Sequence, residues 1–242
     1  MSYIFREHIK QSLAVIAFLI TLTACTSESY DAGDGPNSYL TADLVLLHTS
    51  QDKSVRSALL DDGTTLQFSN PFAQDWITRP DSVYRALLYY DKTVAASDAA
   101  ASNPTSTSIV RARSVRPVSV LRPVEAEDME TLRTDPVGFE SLWMSKNKSY
   151  INLSLLLKSG KTEAYDALHA LGIVSHGTTT DADRRRTLHL TLYHDQGGVP
   201  AYYTVQQYVS IPTQLLEEAD TVELTLNTYN GKKVVKVAVS NL

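Results

Sequence analysis

The side chains of this 242-residue chain that could do chemistry are its histidines, one Ser-x-x-Lys spacing, a paired carboxylate and scattered arginines. His169, His176, His189, His194 and Asp195 all fall in the carboxyl half. Imidazoles beside a carboxylate are ligand types that hold zinc. The spacing opposes it, because His189 and His194 lie an odd number of residues apart in one alternating segment. A regular strand sends such a pair to opposite faces. No metal site is therefore expected, and His194 with Asp195 reads as a hairpin cap. Ser145-Lys-Asn-Lys148 fits the nucleophile pattern S-x-x-K, yet the companion Ser-Asp-Asn and Lys-Thr-Gly elements are missing. It reads as a surface turn. With no G-x-S-x-G, H-E-x-x-H, Walker or dinucleotide fingerprint, the expectation is a protein that is not an enzyme and takes no cofactor.

Asp61 and Asp62 are suitable oxygen donors for calcium, but one turn supplies too few ligands. Followed by Gly63, they read as turn residues with solvated charges. Arg111, Arg113, Arg116 and Arg122, with Arg184-Arg185-Arg186, form the basic clusters. Arg111 and Arg113 are candidate contacts for an acidic glycan or a lipid headgroup; the commoner use of such residues is to keep a strand edge solvated. The thirteen tyrosines, with Trp76 and Trp143, are candidate stacking platforms for sugars, and Trp76, in the proline-bounded loop Asn70–Asp81, is the one singled out. Tyr84, Tyr90, Tyr202 and Tyr208 are at strand spacing and read mostly as core or barrel-end residues.

The one cysteine has a different use. Arg6 and Lys10 precede the short apolar run Leu13–Leu22, which is too short to span a bilayer as a helix. A positive leader, a short apolar core and small residues before a cut describe an export signal. Leu22-Thr23-Ala24-Cys25 resembles the bacterial lipobox, which implies a diacylglycerol on Cys25 and a signal over residues 1–24. A lone cysteine has no partner for an intramolecular disulfide, which agrees with lipidation. Residues 25–37 read as a flexible stalk. Thr26 in place of an aspartate favours the outer membrane. Once the leader is removed, 20 basic residues face 26 acidic ones. That balance argues against nucleic acid as a partner.

These residues must be positioned by β structure. Tyr39–His48, Ser54–Leu60, Thr64–Phe68, Ser82–Tyr90 and Ile109–Leu121 are strand candidates, with Asp-Asp-Gly between the second and third as a hairpin turn. In the last of them Arg111, Arg113 and Val115 share one side of the pleat. Five short antiparallel strands suit a barrel of the OB type over residues 38–124. Thr93–Ser108 reads as a mobile connection, and Glu125–Pro136 as the domain boundary. Phe139 and Trp143 are expected to plug the entrance to the second domain, residues 125–242. There Tyr150–Lys158 reads as half-buried, Arg186–His194 and Tyr202–Ile211 as strands, and Pro212–Ala219 as a helical turn capped by Thr213. Thr221–Thr228 and Lys232–Val239 flank the hairpin signal Asn230-Gly231. About six strands with short connections predict a β-sandwich of immunoglobulin-like type. Propensity favours a helix over Glu163–Val174, although its apolar residues also share strand spacing.

The lipobox, the Asp61-Asp62-Gly63 turn and Ser82-Val-Tyr-Arg-Ala-Leu87 resemble the NigD-like lipoproteins of Bacteroidota. So do Trp143, Tyr150-Ile-Asn-Leu153, Thr187-Leu-His-Leu190, Tyr193-His194-Asp195 and Tyr208-Val-Ser-Ile211. The resemblance implies an OB-like domain followed by a β-sandwich, and a strand over Glu163–Val174. The family takes its name from a protein encoded beside a bacteriocin, which suggested an immunity role. It implies an envelope protein or a toxin as partner, with the membrane reached through the lipid; the loop aromatics, Trp76 among them, offer a glycan as the alternative.

Overall fold

The computed structural model describes residues 40–92, 107–161, 168–216 and 218–239. The signal, Cys25 and the stalk lie outside them, as do most of the connection at 93–106 and residues 163–167 of the ambiguous segment.

The first five strands close a barrel in the order β1-β2-β3-β5-β4: β1 (Leu40–Thr49), β2 (Val55–Leu60), β3 (Thr65–Phe72), β4 (Val83–Lys92) and β5 (Thr107–Pro117). Closure comes from β1, which pairs antiparallel with β2 and β4, so that Val45 stands opposite both Leu60 and Ala86. Val45, Leu47, Ala58, Leu66, Leu88 and Val110 fill the interior, and Ile77 enters from the β3–β4 loop. The β2–β3 turn follows its sequence signal: Gly63 takes φ +90°, a conformation open to glycine, and Leu60 and Thr64 close the loop.

One expectation for β5 fails. Tyr89 pairs with Ser114 and Tyr90 with Ala112, leaving Arg113 as the extra residue of a bulge. The bulge resets the pleat, so Val115 packs on the barrel core with Ala112 rather than sharing a face with Arg111 and Arg113.

Beyond Pro117 the chain enters a sandwich of two sheets. One has the order β14-β13-β11-β10-β7 and the other β6-β12-β9-β8. The strands are β6 (Ser119–Val120), β7 (Pro123–Glu125), β8 (Gly138–Met144), β9 (Tyr150–Ser159), β10 (Ala170–Thr180), β11 (Arg186–Asp195), β12 (Tyr203–Pro212), β13 (Thr221–Thr228) and β14 (Gly231–Ala238). Pairing with the sandwich thus begins at Ser119, ahead of Glu125. Ile151, Leu153 and Leu155 of β9 face Leu188, Leu190 and Leu192 of β11 across one core, as their alternation predicts. The all-β architecture, a five-stranded barrel and then a sandwich, is the one expected.

Several elements differ from expectation. Phe139 and Trp143 belong to β8 instead of forming a plug. Ala170–Val174 is strand, against helix propensity, and β10 continues to Thr180 because β11 offers it a full ladder. Thr213 is no cap: the residue before the 3-10 turn Thr213–Leu215 is Pro212, and the Thr213 hydroxyl donates to the Lys148 carbonyl at 2.7 Å. Strand β9 is not half-buried. Asn152 and Ser154, on its polar face, are 0% and 2% exposed: Arg85 and Asp61 of the barrel meet Asn152, and Glu140 and Gln206 of the neighbouring strands meet Ser154.

Candidate functional site

The polar face of β9 meets the barrel at a buried guanidinium. Arg85 stands on β4 with its side chain fully shielded, and Asp61 at the β2–β3 turn receives it through two parallel bonds, Nη1 to Oδ1 at 2.5 Å and Nη2 to Oδ2 at 2.7 Å. Such bidentate, charge-assisted bonds are the strong class and fix the planes of both groups. The remaining donors reach into the sandwich: Nη2 donates to Asn152 Oδ1 at 3.0 Å and Nε to Ser210 Oγ at 3.2 Å. Ser210 donates to Asn152 Oδ1 at 2.7 Å, and the Asn152 amide returns to Asp61 Oδ2 at 3.1 Å. The ring of Tyr150 lies 4.3 Å beneath the guanidinium, an attraction strengthened by desolvation. A buried charge is tolerable only when paired and hydrogen-bonded on all sides. This one is, and its partners come from both domains. Backbone bonds from Asn147 to Asp61 (2.6 Å), from Val118 to Arg85 and from Leu121 to Ser210 complete the clamp.

Beside the clamp opens a cleft of about 440 Å³ between the domains. Its aromatic walls are Trp143 of β8 and Tyr208 of β12, edge to face at 6.3 Å and 84°, with Tyr89 of β4 on the barrel side. Its acceptors are held in place. Ser154 and Gln206 both donate to Glu140 Oε2, at 2.6 and 2.5 Å, and so keep the Glu140 carboxyl below the usual range. The Thr64 backbone N–H does the same for Asp62 through Oδ1 at 2.9 Å, helped by the nearby Lys146 charge. Tyr90 donates to Asp43 Oδ2 at 2.8 Å, and burial together with that carboxylate pushes the phenol well up. Glu140 and Asp62 are therefore ionised at neutral pH.

The candidates picked out in the sequence lie elsewhere. Trp76 packs edge-on against Tyr84 at 5.8 Å, partly buried on the barrel core. Burial raises the Tyr84 phenol, but N–H groups of Arg79 and Thr78 donating to its oxygen outweigh that and bring it to about 8. That pair of hydrogen bonds ties down the Trp76 loop. Arg113, the bulge residue, pairs with Asp91, and Arg111 is exposed on the barrel. Ser145 is buried, and its hydroxyl bonds Asn147 and the Tyr150 N–H, as a turn requires. Among the described residues no cluster of His, Cys, Asp and Glu is arranged to hold a metal ion. His189 and His194 do point to opposite faces. On the outer face, Thr179, His189, Glu223 and Lys236 form a polar row. His194 is no exposed cap: it is 1% exposed, bonds the Asp135 carbonyl at 3.0 Å and stacks on His169, their nitrogens 2.9 Å apart. The turn is capped by Asp195, which accepts from the Gly197 N–H.

Sequence reasoning missed the cleft. Asn152, Ser154 and Gln206 alternate with apolar residues and so resemble solvent-facing positions; one signal was an arginine, Arg85, in the middle of an otherwise apolar strand.

Residues 120–239, the nine-stranded sandwich, match the family of NigD-like C-terminal beta sandwich domains. The chain belongs to the NigD-like family through this domain. Solved structures extend the likeness over the barrel as well. A NigD-like immunity protein from Bacteroides caccae gives a TM-score of 0.60 at 21% identity, over 81% of this chain and 91% of its own. A candidate toxin-related protein from Parabacteroides distasonis gives 0.55 at 20% identity, over 82% and 92%. A candidate lipoprotein from Bacteroides fragilis gives 0.57 at 15% identity, over 83% and 98%. At these identities the likeness is one of fold. No curated protein matches the sequence.

Proposed function

We propose that this NigD-like chain is a lipid-anchored protein of the cell envelope that works by binding and catalyses no reaction. The observation that carries it is the cleft beside the Arg85 clamp, whose side chains are already locked by hydrogen bonds before any ligand arrives. Preorganisation of this kind lowers the ordering cost of binding. A hydrolytic site built on carboxylates would need one of them held protonated by a raised pKa, whereas Glu140 and Asp62 are both pushed the other way. Cys25, in its lipobox-like context, supplies the anchor, with the outer membrane as its destination. The immunity-protein name of the Bacteroides caccae relative supports a toxin or an envelope protein as the partner.

Two measurements test this. Intact-mass analysis of membrane-extracted protein is expected to show a chain starting at an acylated Cys25, and Cys25→Ser to release it from the membrane fraction. A photo-cross-linker placed at Gln206 in living cells is expected to give a discrete adduct absent when the same group replaces Asp183 on the distant β10–β11 turn. Identical labelling from both positions would refute the binding role. A second reading, glycan binding, is favoured by the aromatic walls of the cleft rather than by Trp76.

A further inference from the structure

We propose that the cleft between barrel and sandwich binds a linear, neutral oligosaccharide, with Trp143 and Tyr208 as the surface on which sugar rings rest. This rests on the second reading above, glycan binding in the cleft, and names its ligand class.

The shape comes first. A volume of about 440 Å³ lies within the usual range of small-molecule sites, about 300–1,000 Å³. A second hollow of about 270 Å³ continues it, sharing Tyr89, Gln206 and Tyr208 and reaching Arg116 and Gln207. Two adjoining compartments divided by a pair of tyrosines suit a ligand built of repeated units. A single compact molecule would leave one of them empty.

The chemistry narrows the class. Aromatic faces carry negative charge density and attract the C–H-rich faces of pyranose rings. The same walls are interleaved with fixed acceptors. Both bonds to Glu140 fall on Oε2, the Asp43 bond on Oδ2 and the Asp62 bond on Oδ1. Asp62 is also met by the Thr64 side chain, whereas one oxygen of Glu140 and one of Asp43 thus have no protein partner among the described residues. Such oxygens accept from hydroxyl groups, and the Lys146 ammonium and the tyrosine hydroxyls can donate. A purely apolar ligand would strip water from these charges without replacing its bonds. An anionic ligand meets four carboxylates, of which only Asp61 is paired with an arginine. A basic peptide is drawn by the carboxylates but opposed by Lys146 in one compartment and Arg116 in the other, and is the competitor that the oligolysine titration tests. A polyhydroxylated neutral chain opposes none of them.

The test uses the full-length chain in detergent with Trp76→Phe, so that Trp143 is the only indole. It is titrated with triacetylchitotriose, maltotriose, cellotriose and mannotriose, and separately with an oligolysine peptide and inorganic phosphate. At least one trisaccharide is expected to shift the Trp143 emission saturably, with a dissociation constant of about 1 mM or tighter. Calorimetry on the Trp76-containing protein should show binding weakened at least about tenfold by Trp143→Ala and by Gln206→Ala, with an unchanged melting temperature for the exposed Gln206 variant. Silence toward all four sugars, equal affinity in both variants, or salt-sensitive binding of oligolysine alone would overturn the proposal. In the last case, or if a protein adduct forms at Gln206 while sugars are silent, the binding role survives and the glycan does not.

Discussion

Two arginine–aspartate pairs of the barrel, Arg85–Asp61 and Arg113–Asp91, have carboxylates shielded alike, 20% and 18% exposed, and arginines in opposite surroundings. The first guanidinium is 0% exposed and the second 39%. Arg113 sits at a bulge on the outer wall, where water competes with the carboxylate and the pair is worth about 0–1 kcal/mol. Arg85 has traded its water for Asp61, Asn152, Ser210 and the face of Tyr150. The difference shows that the role of an ion pair in this molecule follows from what lies across from it. Arg113 decorates one domain, whereas Arg85 holds two together and thereby shapes the cleft.

The comparison breaks most visibly at Arg85 itself. Arg85→Met leaves the Asp61 carboxylate, 20% exposed, with the Asn152 amide in place of its ion partner, and breaking a pair whose arginine is buried costs up to about 3–5 kcal/mol. Thermal denaturation should register a fall on the order of 10 °C. Unaltered melting would mean that the guanidinium is not structurally required. A smaller loss, about 1–3 kcal/mol, is expected for Asn152→Ala, which strands an acceptor-seeking Nη2 and the Ser210 hydroxyl. A double-mutant cycle between Arg85 and Asn152 should give a coupling that the Arg113–Asp91 pair does not share with any sandwich residue.

Acid sharpens the contrast from another side. His169, stacked on His194, is held below its usual 6.5 by burial first and by its neighbour second. A depressed histidine leaves the unfolded chain to bind the proton first. Its contribution is therefore fully present above about pH 6.5 and declines as pH falls toward the folded value. Chemical-denaturation midpoints should drop over that window in the native protein and drop less in His169→Gln. Arg113→Ala closes the series, with a shift under about 1 kcal/mol that disappears at high salt. A larger one would move Arg113 into the same class as Arg85.

Much of the fold is legible because one face of most strands is greasy and the other wet. Leu188, Leu190 and Leu192 against His189 and Thr191 announce β11, and Asp62-Gly63 announces its turn. What defeated the pattern was the second burial. Asn152 and Ser210 look like outward residues until a neighbouring domain sits on them, and no local periodicity reports that neighbour. Short strands were lost for a related reason: β6 and β7 owe their existence to parallel pairing with β12 and β10, far along the chain. The bulge at Arg113 is likewise a property of the β4–β5 pair rather than of either strand alone. For the candidate site, Trp76 stands out by sitting in a loop, while Trp143, also a candidate sugar platform, reads as a plug because nothing in its own segment announces β8.

The seam between the two domains is stitched at its centre by groups that water also likes. A sandwich severed at Pro117 would uncover an amide and hydroxyls where most such joints uncover oil. It should stay in solution as a free-standing module, and so should travel between differently headed chains without first having to be made wettable.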